Sequence, residues 1–289
     1  MNPAIPTLIA LTAYQGRAGD RNDLAWPGAQ MVMDAIAAHL CLPFTTVGCR
    51  PQTPLNQGWA AELAAAQPGL TQLADHLRSV LSGGGTPITA LNRCAAALAT
   101  LPVVAQAHPE ATIVWFDAHA DLNTPTSTAS GYLGGMAISG PAGLWHTGFG
   151  DAVDLARVVL VGSRDLDPFE AQLIESGPVT LIRADEPDLP GALLRRLNGQ
   201  PVYVHLDCDV LEPGLVPTDF QVPGGLSLER LATAMEALAT LPIVGLEVAE
   251  FQTGWSPDEQ GAAMAGLLQA MLPLLNAVRD ARQTTPRNP

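Results

Sequence analysis

The sequence predicts an α/β fold, with a parallel sheet buried under helices on both faces. Short apolar, β-branched runs recur along the chain, and Ala/Leu-rich segments with helical spacing alternate with them, the pattern of a parallel sheet. Composition supplies the third observation: 47% of the 289 residues are hydrophobic and only 15% charged, enough apolar material for strands covered on both sides. Since α/β sheets of about 250 residues often form one unit, residues 1–289 read as a single domain.

The predicted strands are TLIALTAY near the start, ATIVWFD at 111–117, RVVLVGSRD at 157–165, PVYVHLDCD at 201–209 and PIVGLEVAE at 242–250. Each is a short apolar run of buried-strand type. The first, within the apolar stretch from Pro6 to Tyr14, has no basic region before it and is too short to span a membrane. Predicted helices are GAQMVMDAIAAHL, ITALNRCAAALATL, FEAQLIES and LERLATAMEALATL. The Pro- and Gly-rich stretches 50–57, 139–150 and 212–225 read as loops, because the alternation continues on both sides of each. No internal repeat interrupts it. The polar tail 283–289 is predicted to fray.

A net charge of −14 and the complete absence of Lys exclude a nucleic acid or an anionic membrane as partner, since either needs a clustered positive field. Acidic residues collect cations instead. Cys41, Cys49, Cys94 and Cys208 show no CxxC spacing, so neither a zinc site nor a disulfide framework is indicated, and a reducing, cytoplasmic location is expected.

Four of the five predicted strands end in acid: Asp117 and Asp121, Asp165 and Asp167, Asp207 and Asp209, Glu247 and Glu250. Ligands of open α/β sheets bind outside the carboxyl ends of the strands, so these groups should converge on one rim. Like charges a few ångströms apart force protonation or a counter-cation. Asp117, His119 and Asp121 are spaced by two, as are Asp207 and Asp209, which places each set on one side if strand geometry continues. Four aspartates and one imidazole suit Mn²⁺ better than a thiolate-preferring ion, and shared carboxylates permit two ions. Alone, D-A-H-A-D could be a solvated turn and D-C-D a strand end; together they point to a metal.

The segments WFDAHADLNTPTSTASGYLGG (115–135), VGSRDLDPFE (161–170), HLDCDVLEPG (205–214) and LEVAEF (246–251) resemble the arginase/agmatinase (ureohydrolase) family, most closely its arginase branch. That resemblance implies a three-layer α/β/α fold with a mostly parallel central sheet. It also implies two Mn²⁺ ions that activate water against the guanidino group of arginine or a related compound, releasing urea. By position it implies that Asp117 and Asp207 bridge the ions, that Asp121 holds the more exposed ion and accepts a hydrogen bond from the nucleophile, and that His119 and Asp209 complete the other. Glu247 is implied to pair with the guanidinium, and Asn123, Thr128, Ser130 and Asp167 to hold the amino-acid end. The same Asn, Thr and Ser are also ordinary turn residues, and Asp167 before Pro168 could cap a helix. Homo-oligomers, trimers or hexamers, are implied too.

Two departures from the family pattern stand out. Thr86 is read at the place of a His that ligates the exposed ion, which would leave that ion weakly held and permit a single-metal site. Gly134 replaces the His that shuttles protons to the leaving amine, with Tyr132 in place of the usual Asn; His146, on the following loop, could substitute. His205 faces the same side as Asp207 and could be a ligand or a histidine bonded to a neighbouring carboxylate, whereas Cys208 points into the core. A non-catalytic relative that binds metal or an amino acid is the rival reading. A structural Ca²⁺ or Mg²⁺ site is a third, opposed by His119 because hard cations rarely choose imidazole.

Overall fold

The computed structural model describes residues 9–283; the tail read as frayed lies, but for Gln283, outside the described residues. The strands are β1 (Ile9–Tyr14), β2 (Phe44–Val47), β3 (Thr86–Ala90), β4 (Thr112–Phe116), β5 (Val158–Val161), β6 (Thr180–Ile182), β7 (Val202–Asp207) and β8 (Ile243–Ala249). The helices are α1 (Ala25–Leu40), α2 (Trp59–Ser82), α3 (Ala97–Ala107), α4 (Pro168–Glu175), α5 (Leu189–Leu197), α6 (Leu228–Leu238) and α7 (Pro257–Gln283). All eight strands run parallel in the order β2-β1-β3-β8-β7-β4-β5-β6.

One face of the sheet buries Val114, Phe116, Val204 and Leu206 under α1, α5, α6 and α7; the other buries Ile113, Trp115, Leu160 and Tyr203 under α2 and α3. Alternate residues of one strand thus feed opposite cores, giving the three-layer α/β/α arrangement. Helix starts are marked by local chemistry: Ser227 Oγ accepts from Arg230 N at the head of α6, and Asp188 Oδ1 from Gly191 N at that of α5. These side chains satisfy backbone donors that the first helical turn leaves without partners. The span Pro257–Ala281 of α7 is long and apolar enough to cross a membrane by length and composition. Here it packs on α6 and α1, with Met264, Leu267, Met271, Leu274 and Leu275 buried.

The sequence reading missed β2, β3 and β6, and also α2, α5 and α7. One segment read as helix, ITALNRCAAALATL, changes structure within itself: Ile88–Ala90 belong to β3, Cys94–Ala96 form a 3₁₀ turn, and α3 starts at Ala97. Its Ala and Leu content hid a short buried strand whose β-branched signal is only Thr86, Ile88 and Thr89.

Candidate active site and metal centre

β7 and β8 return to the middle of the sheet between β3 and β4, so the loops after these four central strands meet. A cavity of about 200 Å³ opens there, and its lining includes Cys94, His119, Asp121, Asp207, Asp209 and Glu250 together with Asn123, Ser130, Tyr132, Asp165 and Asp167.

β4 stops at Phe116, so Asp117, His119 and Asp121 converge through a loop and not through continued strand alternation. Asp117 Oδ1 accepts from His119 N (2.6 Å) and Asp117 Oδ2 from Trp115 Nε1 (3.0 Å). The His119 ring lies with Nδ1 3.2 Å from Asp117 Oδ1 and 3.1 Å from Asp209 Oδ2. Ser163 Oγ donates to His119 O, and Asp209 Oδ1 accepts from Ala118 N. Asp121 (φ 51°) and Glu250 (φ 65°) both sit in the left-handed region, which costs non-glycine residues on the order of 1–3 kcal/mol each and collects at functional sites. Arg164 ties the loops together, donating to the carbonyls of Asp209, Val222 and Pro223.

Three expectations need correction. Thr86 stands at the first residue of β3, paired in register with Ile9, so it cannot reach the cavity; the residue presented there after β3 is Cys94. Its Sγ donates to Asp207 Oδ2 at 2.9 Å, and it groups with Asp117 and Asp121, and again with Asp207 and Glu250, closely enough to share a cation. Glu247 lies inside β8 under the sheet, where it accepts from Thr100 Oγ1 (2.8 Å) and Tyr203 OH (2.7 Å) and contacts His205 Nδ1 (2.7 Å). With both oxygens engaged and no exposure it cannot meet a substrate; Glu250, just beyond the strand end, faces the cavity. His146 is exposed and off the cavity wall.

His205 belongs to a buried row set by parallel register: Trp115 pairs with His205, His205 with Glu247, and Glu247 with Thr89. Its ring stacks on Trp115 at 3.4 Å between centroids, and Nε2 lies 3.1 Å from Cys94 Sγ. It therefore stands behind Cys94, between the thiol and Glu247. Asn123 Nδ2 donates to Asp167 Oδ2 at 2.8 Å. Asp167 is also the N-cap of α4, where Glu170 accepts from Asp167 N and Leu122 N. Thr128 Oγ1 is spent on Gly131 N, close to Ser130. At the mouth, the Arg21 guanidinium covers Phe220 (4.9 Å) and Tyr132 (5.6 Å).

Crowded, buried carboxylates set the electrostatics. Burial, then Asp117, pushes Asp121 well above the carboxylate range; burial, then Asp209 and Asp117, does the same to Asp207. Asp209 rises to about 7 through burial and Asp117. Burial and then Asp207 raise the Cys94 thiol. Against its own burial, His119 is carried above the usual imidazole range by hydrogen bonds to Asp117 and Asp209. A divalent cation would relieve the charge excess that raises these groups. The donors fit such cations: Asp121 Oδ2 is buried without a hydrogen-bond partner, and one sulfur, one imidazole nitrogen and several carboxylates surround the same space.

A profile of the arginase family matches residues 42–272. The Nω-hydroxy-L-arginine amidinohydrolase of Streptomyces lavendulae is 35% identical over 270 residues, covering 93% of this chain and 98% of that protein. Among solved structures, the arginase of Entamoeba histolytica in complex with L-ornithine superposes with a TM-score of 0.81 at 19% identity, covering 92% of this chain and 99% of that one. An arginase of Bacillus subtilis gives 0.80 at 22%, covering 92% and 98%. Profile, full-length relative and shared fold agree, and the chain belongs to the arginase family.

Proposed function

We propose that this protein is a Mn²⁺-dependent amidinohydrolase of the cytoplasm that cleaves the guanidino group of Nω-hydroxy-L-arginine or L-arginine. The observation that carries the reading is the convergence of Cys94, Asp117, His119, Asp121, Asp207 and Asp209 beneath a cavity that also holds Glu250, Asn123 and Asp167. Cys94, Asp117, Asp121 and Asp207 would hold one ion, and Asp117, His119, Asp207 and Asp209 the other, so Cys94 fills the place that Thr86 does not. When bound, such a metal pair lowers the pKa of water and supplies a nucleophile at neutral pH.

The rest falls to the chain's own groups. Asp121, with a free buried oxygen, accepts the nucleophile's hydrogen bond and orients it. Glu250 faces the guanidino end, while Asn123, Ser130 and Asp167 line the side on which an α-amino and α-carboxylate group would sit. Water adds to the guanidino carbon, the bond from that carbon to the side-chain nitrogen breaks, and that nitrogen leaves as the amine of ornithine with a proton. The other product is hydroxyurea from the hydroxylated substrate and urea from arginine. The 35% identity to the hydroxyarginine enzyme over nearly both full lengths favours the hydroxylated substrate.

The test is release of the amine product by Mn²⁺-loaded protein, ornithine from Nω-hydroxy-L-arginine and L-arginine and putrescine from agmatine, with Asp207→Ala as blank. Turnover lost in the variant supports the reading. Absence of product from every substrate would turn it toward the non-catalytic, metal- or amino-acid-binding relative.

A further inference from the structure

Glu250 is the carboxylate that the cavity offers to a guanidino group, yet neither of its oxygens is unengaged. Oε2 accepts from Arg93 Nη1 at 2.8 Å, and Oε1 accepts from Cys94 N at 3.0 Å. Arg93 is fully buried, and its Nη1 also lies 3.1 Å from Asp219 Oδ2. The site therefore contains a resident guanidinium on the group that would otherwise bind the substrate's. Three polar atoms beside it lack hydrogen-bond partners: Arg93 Nε, which lies 3.9 Å from Asp20 Oδ1, Arg93 Nη2, and the hydroxyl of Tyr132, a residue that lines the cavity. An alkylguanidinium brings a permanent positive charge and only N–H donors, the wrong complement for a carboxylate whose oxygens are already taken by Arg93 and Cys94 N and for donors without acceptors. An N-hydroxyguanidine brings an oxygen acceptor, and the electron-withdrawing hydroxyl makes the group less basic.

From this we propose that Arg93, acting through Glu250, is the positioning residue that makes the recess select oxygen-bearing guanidino groups of low basicity over the arginine cation. The proposal rests on the amidinohydrolase reading for which atoms are cleaved, but the charge selection can be measured without catalysis. Calorimetric titration of the Mn²⁺-loaded protein with L-citrulline, a neutral ureido isostere with an oxygen acceptor, is compared with competition by L-arginine for the same site. In the wild type the two should bind within about threefold of each other, because a carboxylate whose oxygens are already taken has none free for a charge-assisted hydrogen bond to the cation.

Arg93→Met should tighten L-arginine relative to L-citrulline by about tenfold or more, since it frees a charged acceptor for the cation. Where turnover is measurable, the change should fall on the KM ratio of L-arginine to Nω-hydroxy-L-arginine, and Arg93→Lys should restore the wild-type preference. An advantage for L-arginine above about tenfold in the wild type overturns the proposal, whether or not Arg93→Met folds, because an unpaired Glu250 is what gives such an advantage. So does a folded Arg93→Met protein with an unchanged ratio, or binding of neither ligand. If no substrate is cleaved while the binding ratio behaves as stated, the functional reading fails and the charge selection stands.

Discussion

The ring of Tyr132 lies directly against Gly134, so that a Cβ on residue 134 would collide with it. The two departures noted in this loop are therefore one: the aromatic ring takes the space that a side chain at 134 needs. Gly134→His alone should lower stability by roughly 1–3 kcal/mol, the usual result of overpacking, and should not raise turnover. The double variant Tyr132→Asn/Gly134→His should recover most of that loss. Thermal melts of the three proteins decide the matter, and equal stability of the single and double variants would show that the contact is unimportant.

Cys94 should matter for metal content. Cys94→Ala removes one donor from the ion that also uses Asp121, and its affinity should fall by about tenfold or more, as for loss of one ligand of a coordinated ion. Cys94→His should bind more metal than Cys94→Ala. Metal analysis after gel filtration measures this, and equal metal content in wild type and Cys94→Ala would remove Cys94 from the ligand set.

The buried contact of His205 Nδ1 with Glu247 at 2.7 Å, covered by Trp115, predicts a large structural cost. His205→Ala leaves a buried carboxylate short of a partner and opens a cavity, and should destabilise by about 3–5 kcal/mol. Glu247→Gln keeps the volume and most partners and should cost less. Urea denaturation of both variants gives the comparison; the reverse order would count against the packing described.

Metal-free protein should lose stability as pH rises from about 4 toward 7. Asp209, raised to about 7, and Asp121 and Asp207, raised above their ordinary values, bind protons in the folded state that the unfolded chain has already released; stability then falls with pH. His119, also raised, acts in the same direction above the ordinary imidazole pKa. Asp117, whose carboxyl is held down by its contacts with His119 despite its burial, acts oppositely but only in more acidic solution. The melting temperature without metal should therefore be several degrees lower at pH 8 than at pH 5.5, by roughly 5 °C. Mn²⁺ should restore more at pH 8, where the carboxylates are bare. A melting temperature without metal that climbs across this range would contradict the burial described.

Asp167 joins two roles, as N-cap of α4 and partner of Asn123. Asp167→Asn keeps a capping side chain and should change the melting temperature little while raising KM for L-amino-acid substrates by about tenfold, as for loss of a charged hydrogen bond. 5-Guanidinopentanoate, which keeps the carboxylate and lacks the α-amino group that a carboxylate side chain would bind, serves as the comparison substrate. A lowered melting temperature with no change in KM would assign Asp167 to the helix alone.

The centre of this fold was legible because β4, β5, β7 and β8 are apolar runs that end in acid, and Asp117, His119, Asp121, Asp207 and Asp209 followed from that contrast. Cys94 is not legible because β3 is five residues long and flows into Ala-rich sequence, which masks the end of the strand and makes Thr86 read as the residue at the position that Cys94 holds. Glu247 and Glu250 are three apart, which on a strand puts them on opposite faces; only the left-handed backbone at Glu250 turns the second toward the cavity. Arg93 gave no signal at all, because its importance comes from Asp219 and Glu250, more than a hundred residues away in sequence.

The indole of Trp115 touches both layers of the site, donating to Asp117 Oδ2 while its ring face lies 3.4 Å from the imidazole of His205. Of the five tryptophans, this one is wired to the centre of the chemistry by a hydrogen bond and a ring stack. Its excited state is exposed to quenching by the imidazole and to the field of the carboxylate, so the chain carries its own optical probe. Arrival of a cation at Asp117 becomes a change in emission that can be followed as it happens, with no dye and no substrate.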